Sequence, residues 1–284
     1  EIGMKFRLIP AGEFLMGSPE DEEGRLNDES LHQVQITKPY YMGVCEVTQG
    51  EWEEVMDFSL RDFTDAVADY YGEGTRHHVY GEGAGHPMYG EGADYPMYNA
   101  SWYGTIEFCN KLSESEGKSP YYELTNILLN VPYIKGMLSI RSATVSILGG
   151  DGYRLPTEAE WEYTCRAGSE EAYYGELDEI SWYHKSDGET NPVGSKLPNS
   201  FGVYDMTGNV WEWCEDWYSE DYYGVSPTDD PTGPSTGEYR AIRGGGWLSS
   251  PRFCRSAFRY RYPASIDLGS LLGFRVVFSV EPSE

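Results

Sequence analysis

FGVYDMTGNVWEWCEDWY, residues 201 to 218, has neither the 3.6-residue rhythm of an amphipathic helix nor a long clean alternation. Glycine and tryptophan cut it into strand-length pieces. The same texture continues through YRAIRGGGW (239–247) and LGFRVVFSV (272–280). Helices are expected only further towards the N-terminus. TEAEWEYTCRAG (157–168) is the clearest: Thr157 and Glu160 make a capping box, and Gly168 supplies a stop. SWYGTIEFCNKLSESEG (101–117) places Trp102, Ile106, Cys109 and Leu112 at helical spacing. TQGEWEEVM (48–56) opens a helix at Thr48, with Glu51 three residues on. From Met4 to Val44 apolar and polar residues alternate around turn glycines, which predicts short strands. The expectation is one α+β domain over residues 1–284, with two or three helices and much irregular chain.

One segment breaks the pattern. Residues 70–96 hold three nonapeptides, YYGEGTRHH, VYGEGAGHP and MYGEGADYP. Three copies are too few and too glycine-rich for a solenoid. The segment 70–98 reads as a surface-loop insertion. A stack of three glutamates around a cation is the alternative.

Forty-seven acidic residues face 21 basic ones, a net charge of −26. Nucleic-acid binding needs a basic face, so the balance excludes that class. No run approaches the eighteen or so apolar residues of a membrane span. The first residue is glutamate, so an export signal or lipid anchor is expected to have been trimmed. Cys45, Cys109, Cys165, Cys214 and Cys254 form no CxxC pair and lie at no metal spacing from a histidine. They read as small buried side chains, with one disulfide plus free thiols as the alternative.

GYRLPTEAEWEY (152–163), FGVYDMTGNVWEWCEDWY, RGGGW (243–247), CRSAFR (254–259) and GFR (273–275) together resemble the formylglycine-generating, or sulfatase-modifying-factor, family. FLMGS (14–18), EVTQGEW (46–52) and NASWYGTIEFCNKLS (99–113) resemble its N-terminal motifs. The resemblance implies a C-type lectin fold. It also implies, for the enzymes, a copper site of two cysteines five residues apart. Cys254 matches the second, but Ser249 stands in the first position. A serine hydroxyl is a poor ligand for Cu(I) and a weak nucleophile at neutral pH. The oxidase reading is therefore the alternative, and no catalytic residue is assigned.

Within that fold, the C-terminal stretch resembles the variable region of proteins diversified by retroelements. RGGGW, CRSA and LGFR stand as fixed signposts within 240–278, with mixed residues between them. Diversified codons that end in a pyrimidine, with the first two bases free, never encode Lys, Glu, Gln, Met or Trp. Residues 248–272 contain none of the five, which elsewhere are common. The expected ligand-binding residues are Leu248, Ser249, Ser250, Arg252, Phe253, Phe258, Arg259, Tyr260, Arg261, Tyr262, Ile266, Leu268 and Ser270. Tyr, Phe and Arg are interface anchors, and Ser gives adaptable polar contacts. Residues 240–275 hold seven arginines against one aspartate, a positive island in an acidic chain. Arg243, Arg255 and Arg275 are expected to brace buried acids, and Arg252, Arg259 and Arg261 to be exposed.

The reading is a non-catalytic binding protein on a bacterial surface, with a protein or glycan partner. A fixed adhesion module is the remaining alternative. No cofactor is required. The resemblance also implies a structural calcium on Asp205 and Glu212 with the carbonyls of Gly208 and Val210, oxygen donors of the kind that suit this ion. Otherwise Asp205 and Asn209 pin a turn and Glu212 pairs with an arginine.

Overall fold

The computed structural model describes residues 2–62, 89–129, 140–185, 188–265 and 271–280. The first two nonapeptides, and Ile266, Leu268 and Ser270, lie outside these residues.

Both ends of the chain meet in one sheet. β1 (Phe6–Ile9) and β11 (Val277–Ser279) flank β4 (Tyr40–Gly43), each antiparallel to it. β2 (Gly12–Met16) pairs with β3 (His32–Ile36), and β5 (Tyr122–Leu129) with β6 (Ile140–Ile147), as antiparallel pairs. The central sheet runs in the order β10 (Leu272–Gly273), β7 (Trp211–Trp217), β8 (Arg240–Arg243), β9 (Tyr260–Tyr262). β10 lies parallel to β7, and the other pairs are antiparallel. β7 and β8 are almost wholly buried, which explains why β7 reads as a dense run of tryptophan and acid.

The helices form where their caps stand. α1 (Gln49–Met56) begins at Thr48, whose hydroxyl accepts from Glu51 N while Glu51 accepts from Thr48 N. α2 (Trp102–Ser115) starts at Ser101, whose Oγ accepts from Gly104 N at 3.1 Å. α3 (Glu158–Arg166) carries the expected Thr157–Glu160 box. It ends at Ala167 rather than Gly168: Ala167 takes the left-handed conformation, with φ of 44°, and Gly168 follows at 90°. A short α4 (Leu177–Ile180) comes next.

Trp102, Ile106, Cys109 and Leu112 are buried as expected. They join α1 in a core where Trp52 stacks on Phe108 at 5.6 Å. A second core packs α3 against β2, β3 and β4. No helix among the described residues is long and apolar enough to cross a membrane.

Candidate functional site

The site is built on a turn that only glycine can make. Gly244 and Gly245 have φ of +95° and +76°. A Cβ on Gly245 would lie 2.7 Å from Cys254 Sγ. The turn therefore sits directly on the short 3-10 segment Pro251–Cys254. Cys254 is enclosed beneath it, and burial pushes its thiol up to about 12. A protonated, enclosed thiol is a poor metal ligand and a poor nucleophile. Ser249, in the position of the other expected cysteine, is buried, and its Oγ accepts from Gly246 N at 2.9 Å. Its carbonyl accepts from His184 N. All five cysteines are free thiols, and four are buried.

Under the turn lies a network of buried ion pairs. Arg243 donates to Glu158 and Glu162 at 2.9 and 2.5 Å. Glu162 also accepts from Arg166 and from Gly17 N. Arg255 binds Glu29 through two nitrogens and also pairs with Glu22. Arg275 binds Glu212 bidentately, both bonds at 2.6 Å, and donates to the Gly43 carbonyl. Arg243, Arg255 and Arg275 thus brace buried acids as expected. Burial would raise the Glu158 carboxyl, but the guanidiniums of Arg259 and Arg243 outweigh it and hold the group below its ordinary value.

Three expected surface residues belong to this interior. Arg259, expected exposed, is 1% accessible: Nε and Nη2 bind Glu158 at 2.7 and 2.8 Å, and Nη1 donates to the Asp28 carbonyl. Its guanidinium also lies 3.8 Å from the centre of the Tyr223 ring. Phe258 is likewise 1% accessible, edge-on to Phe253 at 5.0 Å. Ser249 is engaged within the turn. A buried bidentate ion pair and a packed ring hold the scaffold together and offer a ligand nothing.

Of the other described candidates, three face solvent. Leu248 is 57% exposed and Tyr260 47%, and Arg252 is exposed with its guanidinium over the Phe253 ring. Ser250, Phe253 and Tyr262 are half-buried. Arg261 is half-buried and pairs with Glu220 at 3.0 Å. Tyr260 leans on Trp211, 5.8 Å between ring centres. Two bordering residues escaped the sequence reading. Trp211 lies in the 201–218 motif, outside the C-terminal stretch, and Tyr89 of the third nonapeptide stacks on Trp247 at 5.1 Å. The only sequence signal for Tyr89 was its place in the repeat.

The calcium expected at 205–212 does not fit through Glu212. Both Glu212 oxygens are engaged by Arg275, and Oε2 also accepts from Trp161 Nε1 at 2.8 Å. The glutamate's charge is already balanced inside the protein. Asp205 accepts from Gly194 N, and Asn209 accepts from Asn191 N, so both pin the turn. Two carboxylate oxygens here have no partner, Asp205 Oδ1 and Glu46 Oε1. Burial raises both carboxyls, that of Asp205 to about 6. Among the described residues no group of three or more His, Cys, Asp or Glu is arranged to hold a metal ion.

The fold and the turn together define a C-type-lectin-like α+β scaffold that presents one end of its central sheet. Residues 4–280 match the sulfatase-modifying factor enzyme 1-like domain, and the chain belongs to that family. It is 30% identical to the chaperone protein LppX of Paenibacillus barcinonensis, over 84% of this chain and 80% of that protein. It is 28% identical to the mouse formylglycine-generating enzyme, over 94% of this chain and 73% of the relative. Among solved structures it resembles Treponema denticola variable protein 1, with a TM-score of 0.78 and 29% identity over 99% and 98% of the two chains. PvdO from Pseudomonas aeruginosa follows, with a TM-score of 0.69 and 29% identity over 97% and 94%.

Proposed function

We propose that the protein is a non-catalytic binding protein whose diversified residues stand on the C-terminal end of a fixed scaffold. One observation carries this reading. Among the described residues of 243–275 the signpost arginines are buried and ion-paired and Cys254 and Phe258 are buried, whereas Leu248, Arg252 and Tyr260, from the gaps between signposts, face solvent. Substitution at those exposed positions leaves the ion pairs untouched, so the surface can change while the fold stays. The likeness to a structure titled a variable protein supports the same reading. The partner is a protein or glycan, and the setting is a bacterial surface or the space outside it.

Sequencing codons 240–278 across copies of the gene tests this. Changes are expected at Leu248, Ser250, Arg252, Tyr260 and Tyr262, sparing Arg243, Arg255 and Arg275. A uniform stretch overturns the diversified reading and leaves a fixed adhesion module. Family relatives named formylglycine-generating enzymes keep one chemical alternative in view. Stoichiometric, tight Cu(I) binding that disappears in Cys254→Ala would establish the oxidase instead.

A further inference from the structure

We infer that this face takes a protein ligand through apolar side chains rather than a glycan, and that Tyr89 of the nonapeptide insertion is part of the contact surface. The inference rests on the binding reading above and names its partner class.

The chemistry of the side chains decides between the two partners. Between Arg240 and Ser265 the chain has no Asp, Glu, Asn, Gln, His or Lys. Sugar hydroxyls are held by fixed polar groups that both donate and accept, and amides and carboxylates supply most of them. The arginines do not fill the gap. Arg240, Arg243, Arg255 and Arg259 are buried and bonded, and Arg261 pairs with Glu220. The Ser249 hydroxyl is taken by Gly246 N. Among the described residues Leu248, Tyr260 and Arg252 are left exposed, with Ser250, Phe253 and Tyr262 half-buried, a mainly apolar and aromatic set with one cation. Tyrosine and arginine are residue types that anchor protein interfaces, whose centres are poor in other charges.

Two buried tryptophans, Trp211 and Trp247, brace the aromatic residues of this face from beneath. Tyr260 leans on Trp211, and Trp211 Cδ1 lies 3.3 Å from where a Cβ on Gly246 would be. Trp247 follows in the chain and carries Tyr89 on its ring. Tyr89 is held along its backbone: its N donates to Tyr98 Oη at 2.9 Å, and its carbonyl accepts from Thr190 N and Oγ1. Gly90 secures the approach, with φ of +89° and a Cβ position only 2.2 Å from Thr190 Oγ1. A ring held in this way loses little freedom on binding, which favours affinity.

The test uses the full chain, a dodecapeptide library displayed on phage, and a glycan microarray. Peptides are expected to be enriched, and Tyr260→Ala, Leu248→Ala and Tyr89→Ala should each weaken them about tenfold or more, the effect expected of an interface anchor. Leu8→Ala, on the exposed side of another sheet, should change nothing, and Tyr89→Phe, which keeps the stack, should retain binding. Tyr260 is exposed, so its variant keeps the test open should Tyr89→Ala fail to fold. Glycan binding that is lost in Tyr260→Ala overturns the partner class and leaves the face standing. Ligand binding indifferent to Tyr260 and Leu248 overturns the face itself, and so does failure to select any peptide that depends on them. Binding that needs Tyr260 but survives Tyr89→Ala removes Tyr89 from the contact.

Discussion

Arg259 holds both oxygens of Glu158 and the Asp28 carbonyl, with no water-facing atom to spare. Removing the guanidinium leaves Glu158 with only Arg243 in a buried site. Stripping one partner from a buried pair is strongly destabilising, so Arg259→Ala is expected to cost about 3–5 kcal/mol in denaturant unfolding. Leu248→Ala, on an exposed side chain, should stay within about 0.5 kcal/mol. Equal effects at the two positions would mean that both belong to the same layer. Sequence alone placed Arg259 on the surface because nothing near it in the chain names its partner. Glu158 lies in α3, one of 47 acids, and only the folded sheet brings the two together. Arg243, Arg255 and Arg275 were readable because each sits inside a motif. Phe258 and Arg259 also close the CRSAFR motif, but they were counted with the mixed residues that follow CRSA, and neither carries a local sign of which way it points.

The caps of α1 and α3 could be read from four residues each, since a capping box is wholly local. Thr157→Ala should therefore cost about 1 kcal/mol, the ordinary loss for an N-cap, when measured as a shift in the urea midpoint. The strands were readable only as punctuation, because their partners lie far along the chain: β10 joins β7, and β11 joins β4. The turn at Gly244–Gly245 belongs to this second kind. Its glycines were visible, but the sulfur they shelter was not. Gly245→Ala adds a methyl 2.7 Å from Cys254 Sγ at a φ of +76°. Overpacking and backbone strain together should destabilise by about 1–3 kcal/mol. Shortening Cys254 to alanine in the same molecule should return part of that loss. A double variant whose cost is the simple sum would show that the strain lies in the backbone alone.

The whole molecule carries −26 at neutral pH and hides many carboxyls, and these two facts fix how its stability should follow pH. Burial, reinforced by neighbouring carboxylates, holds Asp216 and Glu46 well above the ordinary range, and burial raises Asp205 to about 6. Glu215 is raised chiefly by burial as well. Each of these groups binds its proton more tightly folded than unfolded. Lowering the pH from 7 towards 5 therefore protonates the folded state first and stabilises it. Loss of negative charge across the surface acts in the same direction. Glu158 has the opposite sign: its folded value is depressed by Arg259 and Arg243, so its contribution is present above about 4.5 and is lost as pH falls through the folded value. The thermal midpoint is expected to rise from pH 7.5 to about 5 and to drop below about 4. A pH series of melts followed by circular dichroism measures it, with Glu158→Gln expected to flatten the acid limb. A midpoint that falls steadily from pH 7 downwards would mean that Asp205, Glu46 and Asp216 are ionised in the fold, and that a cation from outside the chain's own arginines holds them.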